Sequence, residues 1–281
     1  MYEVTNDWIE EANEEFRRDN VPHIRRPWLA WMKWSKHIGL STELGDKNVK
    51  RIFSWFTENS PAGAHQVGSF YTGLFYYDAH FWPVSIPIIA GTVELKAFDS
   101  LETTPKHIKY RIMFDANQVQ DFLALYGDCV DYSFGIEDLI KLDNSTLWQQ
   151  LLRSADQQLK ATVELFEGHK PKQKGVETAR MATEMFLKSF ISYKTGMTDD
   201  EIRKQLSHNL EKAVDKCLEI DPRSELTAIR PALDLFPKID DRYKATDKTL
   251  WELWRIYGMA QYSGAAVVRA LSGPDPCNWR V

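Results

Sequence analysis

The sequence contains few cysteines and none of the glycine-rich motifs that hold phosphates or catalytic nucleophiles. Its three cysteines, Cys129, Cys217 and Cys277, are far apart and form no Cys-x-x-Cys pair. This spacing indicates neither a disulfide framework nor a zinc site. No GxGxxG, GxxxxGKS, GxxxxGKT or GxSxG motif occurs, which disfavours P-loop nucleotide hydrolysis and α/β-hydrolase chemistry. We therefore expect no cofactor.

The sequence also lacks a run of about 18 apolar residues, and its first residues, MYEVTNDWIEEANEEF, are acidic. We expect a cytoplasmic protein with neither a secretory signal nor a membrane partner. Of its 281 residues, 43% are hydrophobic and 27% are charged, a composition typical of folded chains with one large or two ordinary domains. The net charge of −5 argues against a protein that coats nucleic acid through its overall charge, but permits a local basic patch.

The first 60 residues have the spacing of three helices. DWIEEANEEFRRDN is amphipathic, RRPWLAWMKWSKHIGL follows it, and KNVKRIFSWFTEN predicts the third helix. Pro27 suits the first turn of the second helix, because that position needs no backbone N–H donor.

Residues 65–142 change to a period of two. In KHIKYRIMFD every second residue is apolar from Ile108 to Phe114, which predicts a half-buried strand. GTVELKAF alternates in the same way. The aromatic stretch GSFYTGLFYYDAHFWPVSIPIIAG predicts one or two strands, with an edge or bend at Pro83 and Pro87. Together these segments predict an antiparallel sheet.

Residues from DANQVQDFLALYGD onward have the spacing of helices. This segment predicts a short helix with Asp115 as N-cap and Gly127 at its end. Asn144 or Ser145 can cap the next helix, Gly196 ends the one after it, and residues 198–201 have the spacing of a capping box. The fold class is therefore α+β: a mixed helix and antiparallel-sheet domain at 1–142, an up-and-down helical bundle at 143–273, and a tail at 274–281.

The helical segment resembles the HEPN superfamily, the "higher eukaryotes and prokaryotes nucleotide-binding" domains. The resemblance rests on SADQQLKATVELFEG, on VETARMATEMFLKSFISYKTG, on the step SHNL at 207–210 and on DDRYK at 240–244. It implies a bundle of four to five helices that binds RNA, a nucleotide or a partner protein, often as a homodimer. It also implies a role in prokaryotic defence or in a toxin–antitoxin system. Residues 1–142 show no resemblance that we recognise.

The resemblance implies a second function, that of a metal-independent endoribonuclease. Many HEPN members use an Arg-x4–6-His motif, and Arg203 and His208 have this spacing. Histidine would transfer protons around the attacking hydroxyl, and arginine would stabilise charge on the phosphate. In an uninterrupted helix five residues would separate the two side chains by about 140°, so a dyad requires a break or a second subunit. The alternative is a structural His208 that packs at the bundle end and bonds a backbone carbonyl.

Three further groups are candidate binding or metal-ligating residues. Basic residues interleave with tryptophans in HIRRPWLAWMKWSKH, a pattern that can hold single-stranded nucleic acid; Trp28, Trp31 and Trp34 can equally form an apolar core stripe. The basic binding candidates of this stretch are Arg25, Arg26, Lys33 and Lys36. Arg242 and Tyr243, before the last helix, are also binding candidates. Asp78 and His80 could bind a metal with Asp128 or Asp131, although such residues more often occupy a strand end or turn.

Overall fold

The structure is a computed structural model. It describes residues 3–21, 23–39, 46–59, 70–87, 95–141, 146–222, 224–237 and 247–272. The chain divides into two compact units, Met1–Gly68 and Ser69–Val281, and each is described separately below.

The first unit contains the three predicted helices, α1 Asn6–Arg18, α2 Arg26–Ile38 and α3 Lys47–Asn59. Thr5 caps α1 by accepting a hydrogen bond from the Trp8 amide at 3.2 Å. Pro27 lies in the first turn of α2, which confirms its predicted position. The core of this unit is formed by Val4, Ile9, Ala12, Phe16, Ala30, Trp34, Ile52 and Phe56.

The second unit begins with an antiparallel hairpin of β1 Tyr71–Tyr77 and β2 His80–Ile86. Asp78 and Ala79 connect the strands, and both have a positive φ, 53° and 58°. Two-residue turns of this kind match the right-handed twist of paired strands. Pro83 lies opposite Leu74 within the ladder. The prediction of strands in this aromatic stretch is confirmed, and the hairpin is the only sheet in the described part of the chain.

The predicted strand at KHIKYRIMFD is wrong, because Lys106–Met113 forms helix α4. Its buried residues are Ile108 and Ile112, one helical turn apart, while Tyr110 and Phe114 are exposed. In a strand all four would share a face, whereas in a helix only residues three or four apart do so. The part of GTVELKAF at residues 91–94 lies outside the described residues, and Ala97–Ser100 forms a short 3-10 helix.

Helix α5 extends from Ala116 to Lys141, twice as far as predicted. Asp115 caps it as expected, since its side chain accepts from the amides of Asn117 and Gln118 at 3.0 and 3.2 Å. The predicted end at Gly127 is wrong. The helix continues because residues on both sides of this glycine, including Leu125 and Cys129, are buried in the core, and this packing outweighs the low helix propensity of one glycine.

The remaining elements form a helical bundle around α7. They are α6 Leu147–Phe166, α7 Gly175–Thr195, α8 Asp199–Leu206, α9 Leu210–Ile220, a 3-10 helix Glu225–Leu235 and α10 Leu250–Ser272. Helix α7 contacts α6, α9 and α10, while α10 also contacts α5. The capping box at Thr198 and Glu201 and the left-handed C-cap at Gly196 are both confirmed. Asn144 and Ser145 lie outside the described residues, and Thr146 occupies the N-cap of α6.

The predicted domain boundary near residue 142 does not coincide with the division into units, which falls at Gly68. Strand β1 contacts α5, α6 and α10, so the sheet and the bundle share one core. The class α+β holds for the described residues, as helices with one small antiparallel sheet. None of the helices in the described ranges combines the length and the apolar character needed to cross a membrane.

Candidate functional site

The candidate site lies where helix α7 meets the turn between α8 and α9. Arg180, Glu184 and Lys188 occupy successive turns of α7, at the i,i+4 spacing that places side chains on one face. All three are buried: the exposed fractions of the whole residues are 7%, 6% and 9%. Charged side chains this deeply buried require partners. The sequence shows the row of charges, but not that the bundle covers it.

The carboxylate of Glu184 is the centre of this cluster. It accepts a hydrogen bond from Arg180 Nη1 at 3.1 Å and another from Lys188 Nζ at 2.7 Å. Its third contact is His208 Nδ1, at 3.0 Å. Burial alone would raise the pKa of Glu184, but the hydrogen bonds and charges of Lys188 and His208 outweigh it and hold the pKa below its usual value. The carboxylate is therefore ionised at neutral pH.

The two cations of α7 also hold the backbone of the turn. Lys188 Nζ donates to the Ser207 carbonyl and Arg180 Nη2 to the His208 carbonyl, both at 2.6 Å. Arg180 Nε donates to the Pro237 carbonyl at 3.0 Å. Ser207 has φ +50°, a left-handed conformation that costs of order 1–3 kcal/mol for a residue with a side chain. The charged cluster supplies the contacts that hold this strained turn in place.

His208 is held at one edge and open at the other. Its side chain is 62% exposed, whereas that of Glu184 is 8% exposed. A carboxylate at Nδ1 favours the tautomer that carries its proton there. Nε2 forms no hydrogen bond with any described residue, so in this tautomer it is an acceptor open to a ligand. The expected structural His208, with a ring that bonds a backbone carbonyl, is wrong in this respect: the ring bonds a carboxylate.

Arg203 lies on α8, one turn before the strained residue. It is 72% exposed and bonds Asp199 at 2.5 Å, four residues earlier on the same helix. Helix α8 ends at Leu206, and Asn209 caps α9 by accepting from the Lys212 amide at 3.0 Å. A break therefore separates Arg203 from His208, as a working dyad in one chain requires. No contact between the two side chains is present.

The basic candidates of the first unit are only partly available to a ligand. Arg26 is buried and donates to the Val21 carbonyl and to Asn13 Oδ1, both at 2.9 Å. Its role is to hold the chain before α2, so it cannot contact a phosphate at the surface. Lys33 is paired with Glu15. Arg25 and Lys36 are exposed.

The tryptophans of this segment belong mainly to the interior. Trp34 is 4% exposed and packs edge-on against Trp8, while Trp28 packs in the same way against Phe53. Of the two predicted roles for these tryptophans, a nucleic-acid surface and an apolar core stripe, Trp34 has the second. Arg242 and Tyr243, the remaining binding candidates, lie outside the described residues.

The possible metal ligands are not brought together. Asp78 occupies the hairpin turn, and His80 packs against Trp82 with ring centroids 4.1 Å apart. Asp128 and Asp131 both accept from Arg269 Nη1, at 3.0 and 2.9 Å. Within the described ranges no three His, Cys, Asp or Glu side chains are grouped to hold a metal.

Comparison with known proteins adds no assignment. A scan against protein-family models, a search of curated proteins and a search of solved structures find no match to this chain.

Proposed function

We propose that the chain is a HEPN-type binding module that recognises RNA or a nucleotide at the α8–α9 turn. His208 supports this proposal most directly, because its ring is exposed while the buried carboxylate of Glu184 bonds Nδ1. A ring fixed in this way presents Nε2 to solvent in one orientation. A phosphate oxygen is a suitable partner for the ring in its protonated form, in which Nε2 also carries a proton and donates a charge-assisted hydrogen bond.

Arg203 is the second residue that we assign to this site. Its pair with Asp199 is exposed on both sides, and exposed ion pairs contribute only about 0–1 kcal/mol. A phosphate can therefore replace Asp199 at low cost. The guanidinium forks onto phosphate with two parallel donors, which would complement the single donor of His208.

The order of helices also supports the HEPN-type assignment. The segments that resemble the first and second HEPN helices form α6 and α7, and the SHNL step forms the turn after α8 and the first residue of α9. By the same resemblance we propose that the module works as a homodimer or with a partner protein, in a prokaryotic defence or toxin–antitoxin system.

Titration of fluorescently labelled single-stranded RNA by anisotropy tests the binding proposal, with ATP as a competitor to test for nucleotide. We expect saturable binding that His208→Ala weakens about tenfold or more, the loss of one charge-assisted hydrogen bond. Because the ring is exposed, the variant should keep its melting temperature. Light scattering during size-exclusion chromatography measures the mass of the particle. Absence of binding to both ligands would overturn the proposal.

A second candidate function is metal-independent cleavage of RNA by Arg203 and His208. The free Nε2 and the break between α8 and α9 favour it, because a general base needs an accepting nitrogen within reach of the substrate. The experiment is incubation of labelled RNA with the protein in EDTA. A ribonuclease loses cleavage in both Arg203→Ala and His208→Ala while it still folds. Intact RNA after incubation with the wild-type chain would leave binding alone as the proposed function.

A further inference from the structure

Helix α4 presents large apolar side chains to solvent, on the side opposite its buried isoleucines. Tyr110, Met113 and Phe114 are 58%, 47% and 88% exposed. Single exposed apolar residues are common, but a group at one helix end indicates an interaction surface. We call Lys106, His107, Lys109, Tyr110, Met113 and Phe114 the α4 surface.

The same surface carries unpaired positive charge. Lys106 and Lys109 form no ion pair with any residue in the described ranges. The next cation is Arg111, whose Nη1 lies 3.9 Å from Asp78 Oδ2, and both side chains are more than 60% exposed. This pair is too long and too exposed to neutralise the arginine. The helix therefore offers a local basic patch on a chain whose net charge is −5.

The aromatic and basic side chains of α4 share its exposed side. At 100° per residue, Tyr110 lies at the centre of that side, opposite the ridge of Ile108 and Ile112. Phe114 follows one turn later, about 6 Å further along the axis. Lys106 and Lys109 lie beside Tyr110. Cations beside rings are the pattern that holds single-stranded nucleic acid, phosphates on the charges and bases on the rings.

We propose that the α4 surface binds single-stranded RNA, as a second contact region of the binding module proposed above, on which this inference rests. Tyr110 and Phe114 stack unpaired bases, and Lys106 and Lys109 contact the phosphates. A paired duplex hides the faces of its bases, so the surface should prefer single strands. The acidic group nearest in sequence, Asp115, accepts hydrogen bonds from the Asn117 and Gln118 amides at the start of α5.

The test is an anisotropy titration of labelled single-stranded RNA with the full chain, repeated over a range of salt concentrations. Tyr110→Ala/Phe114→Ala should weaken binding at least about fivefold, the lower limit for loss of one base stack. Lys106→Ala/Lys109→Ala should reduce the slope of log K against log salt by about 1.4, which is about 0.7 for each lost phosphate contact. Binding to a duplex of the same sequence should be weaker.

Matched controls remove equivalent groups elsewhere. Trp251→Ala removes another exposed ring, and Arg18→Ala/Lys50→Ala removes two exposed cations of the first unit; neither should change affinity or salt slope. If the α4 variants bind like the wild type while His208→Ala does not, the inference is overturned and the proposed function stands. If the wild type binds no RNA, the inference is overturned, and the proposed function falls with it only if ATP does not bind either. Anionic lipid vesicles are a separate arm, and binding to them alone overturns the assignment to RNA.

Discussion

Replacement of Glu184 by glutamine should destabilise the second unit far more than loss of His208. The substitution keeps the size of the side chain but removes the charge that faces Arg180 and Lys188, whose side chains are 8% and 11% exposed. Removal of one partner from a buried ion pair costs about 3–5 kcal/mol, since the remaining charge is left buried without compensation. Here two cations lose their counter-ion, but both keep bonds to backbone carbonyls. We therefore expect Glu184→Gln to lower the free energy of unfolding of the second unit by about 3 kcal/mol.

Hydrogen exchange of the α7 amides is the suitable assay, because it reports on this unit separately from the first. A loss of 3 kcal/mol corresponds to exchange about 10²-fold faster for amides that require global opening. His208→Ala is the matched control: it removes the third partner of the same carboxylate, but its ring is exposed, so we expect a loss below about 1 kcal/mol. Equal effects of the two substitutions, or an effect below 1 kcal/mol for Glu184→Gln, would refute the view that the buried charges organise the turn.

The other predictions concern acid stability, packing and the basic residues of the first unit. The folded-state pKa of Glu184 is below its usual value of 4.5, so the ionised carboxylate stabilises the fold above about pH 4.5 and this stabilisation is lost as the pH falls further. In an acid titration of unfolding, the wild type should therefore lose more stability than Glu184→Gln. Parallel curves for the two proteins would contradict this. On α5, Gly135→Ala should cost about 1–3 kcal/mol in urea unfolding, because a Cβ would lie 2.2 Å from Val268 Cγ1. Its control, Gly127→Ala, meets no atom within 4 Å and should stabilise by up to about 1 kcal/mol; the reverse order would contradict the packing of α5. Arg26→Ala should lower the melting temperature of the first unit, whereas Arg25→Ala should leave it unchanged. Equal melting curves for the two variants would contradict the role assigned to Arg26.

Local signals predicted much of the fold. Helices α1 to α3 follow from amphipathic spacing, and the caps at Thr198 and Gly196 follow from residue type, because these effects act within one turn. The two strands follow from their aromatic and β-branched composition, but the turn that joins them at Asp78 and Ala79 does not. Where the prediction failed, at α4 and at Gly127 within α5, local sequence was ambiguous and long-range packing decided. Alternation over eight residues also fits a short helix with two buried isoleucines.

The candidate site was predicted only in part. The resemblance to HEPN domains points to Arg203 and His208, and helix geometry requires either a break between them or a second subunit. Glu184 was visible as a member of a charge row, but its contact with His208 spans 24 residues and depends on how α7 packs against the α8–α9 turn. The same limit applies to Arg26, whose burial follows from the position of α1 rather than from its basic neighbours. Residue type suggests what a side chain can do, and tertiary packing decides whether it is accessible.

The most direct test of the central claim is the affinity of the wild-type chain and of His208→Ala for labelled single-stranded RNA, measured with their melting temperatures. If the α8–α9 turn is a ligand site, the wild type binds and the variant binds about tenfold or more weakly at the same melting temperature. Equal affinities, or a melting temperature that falls in proportion to the affinity, would contradict a direct role of His208 in binding.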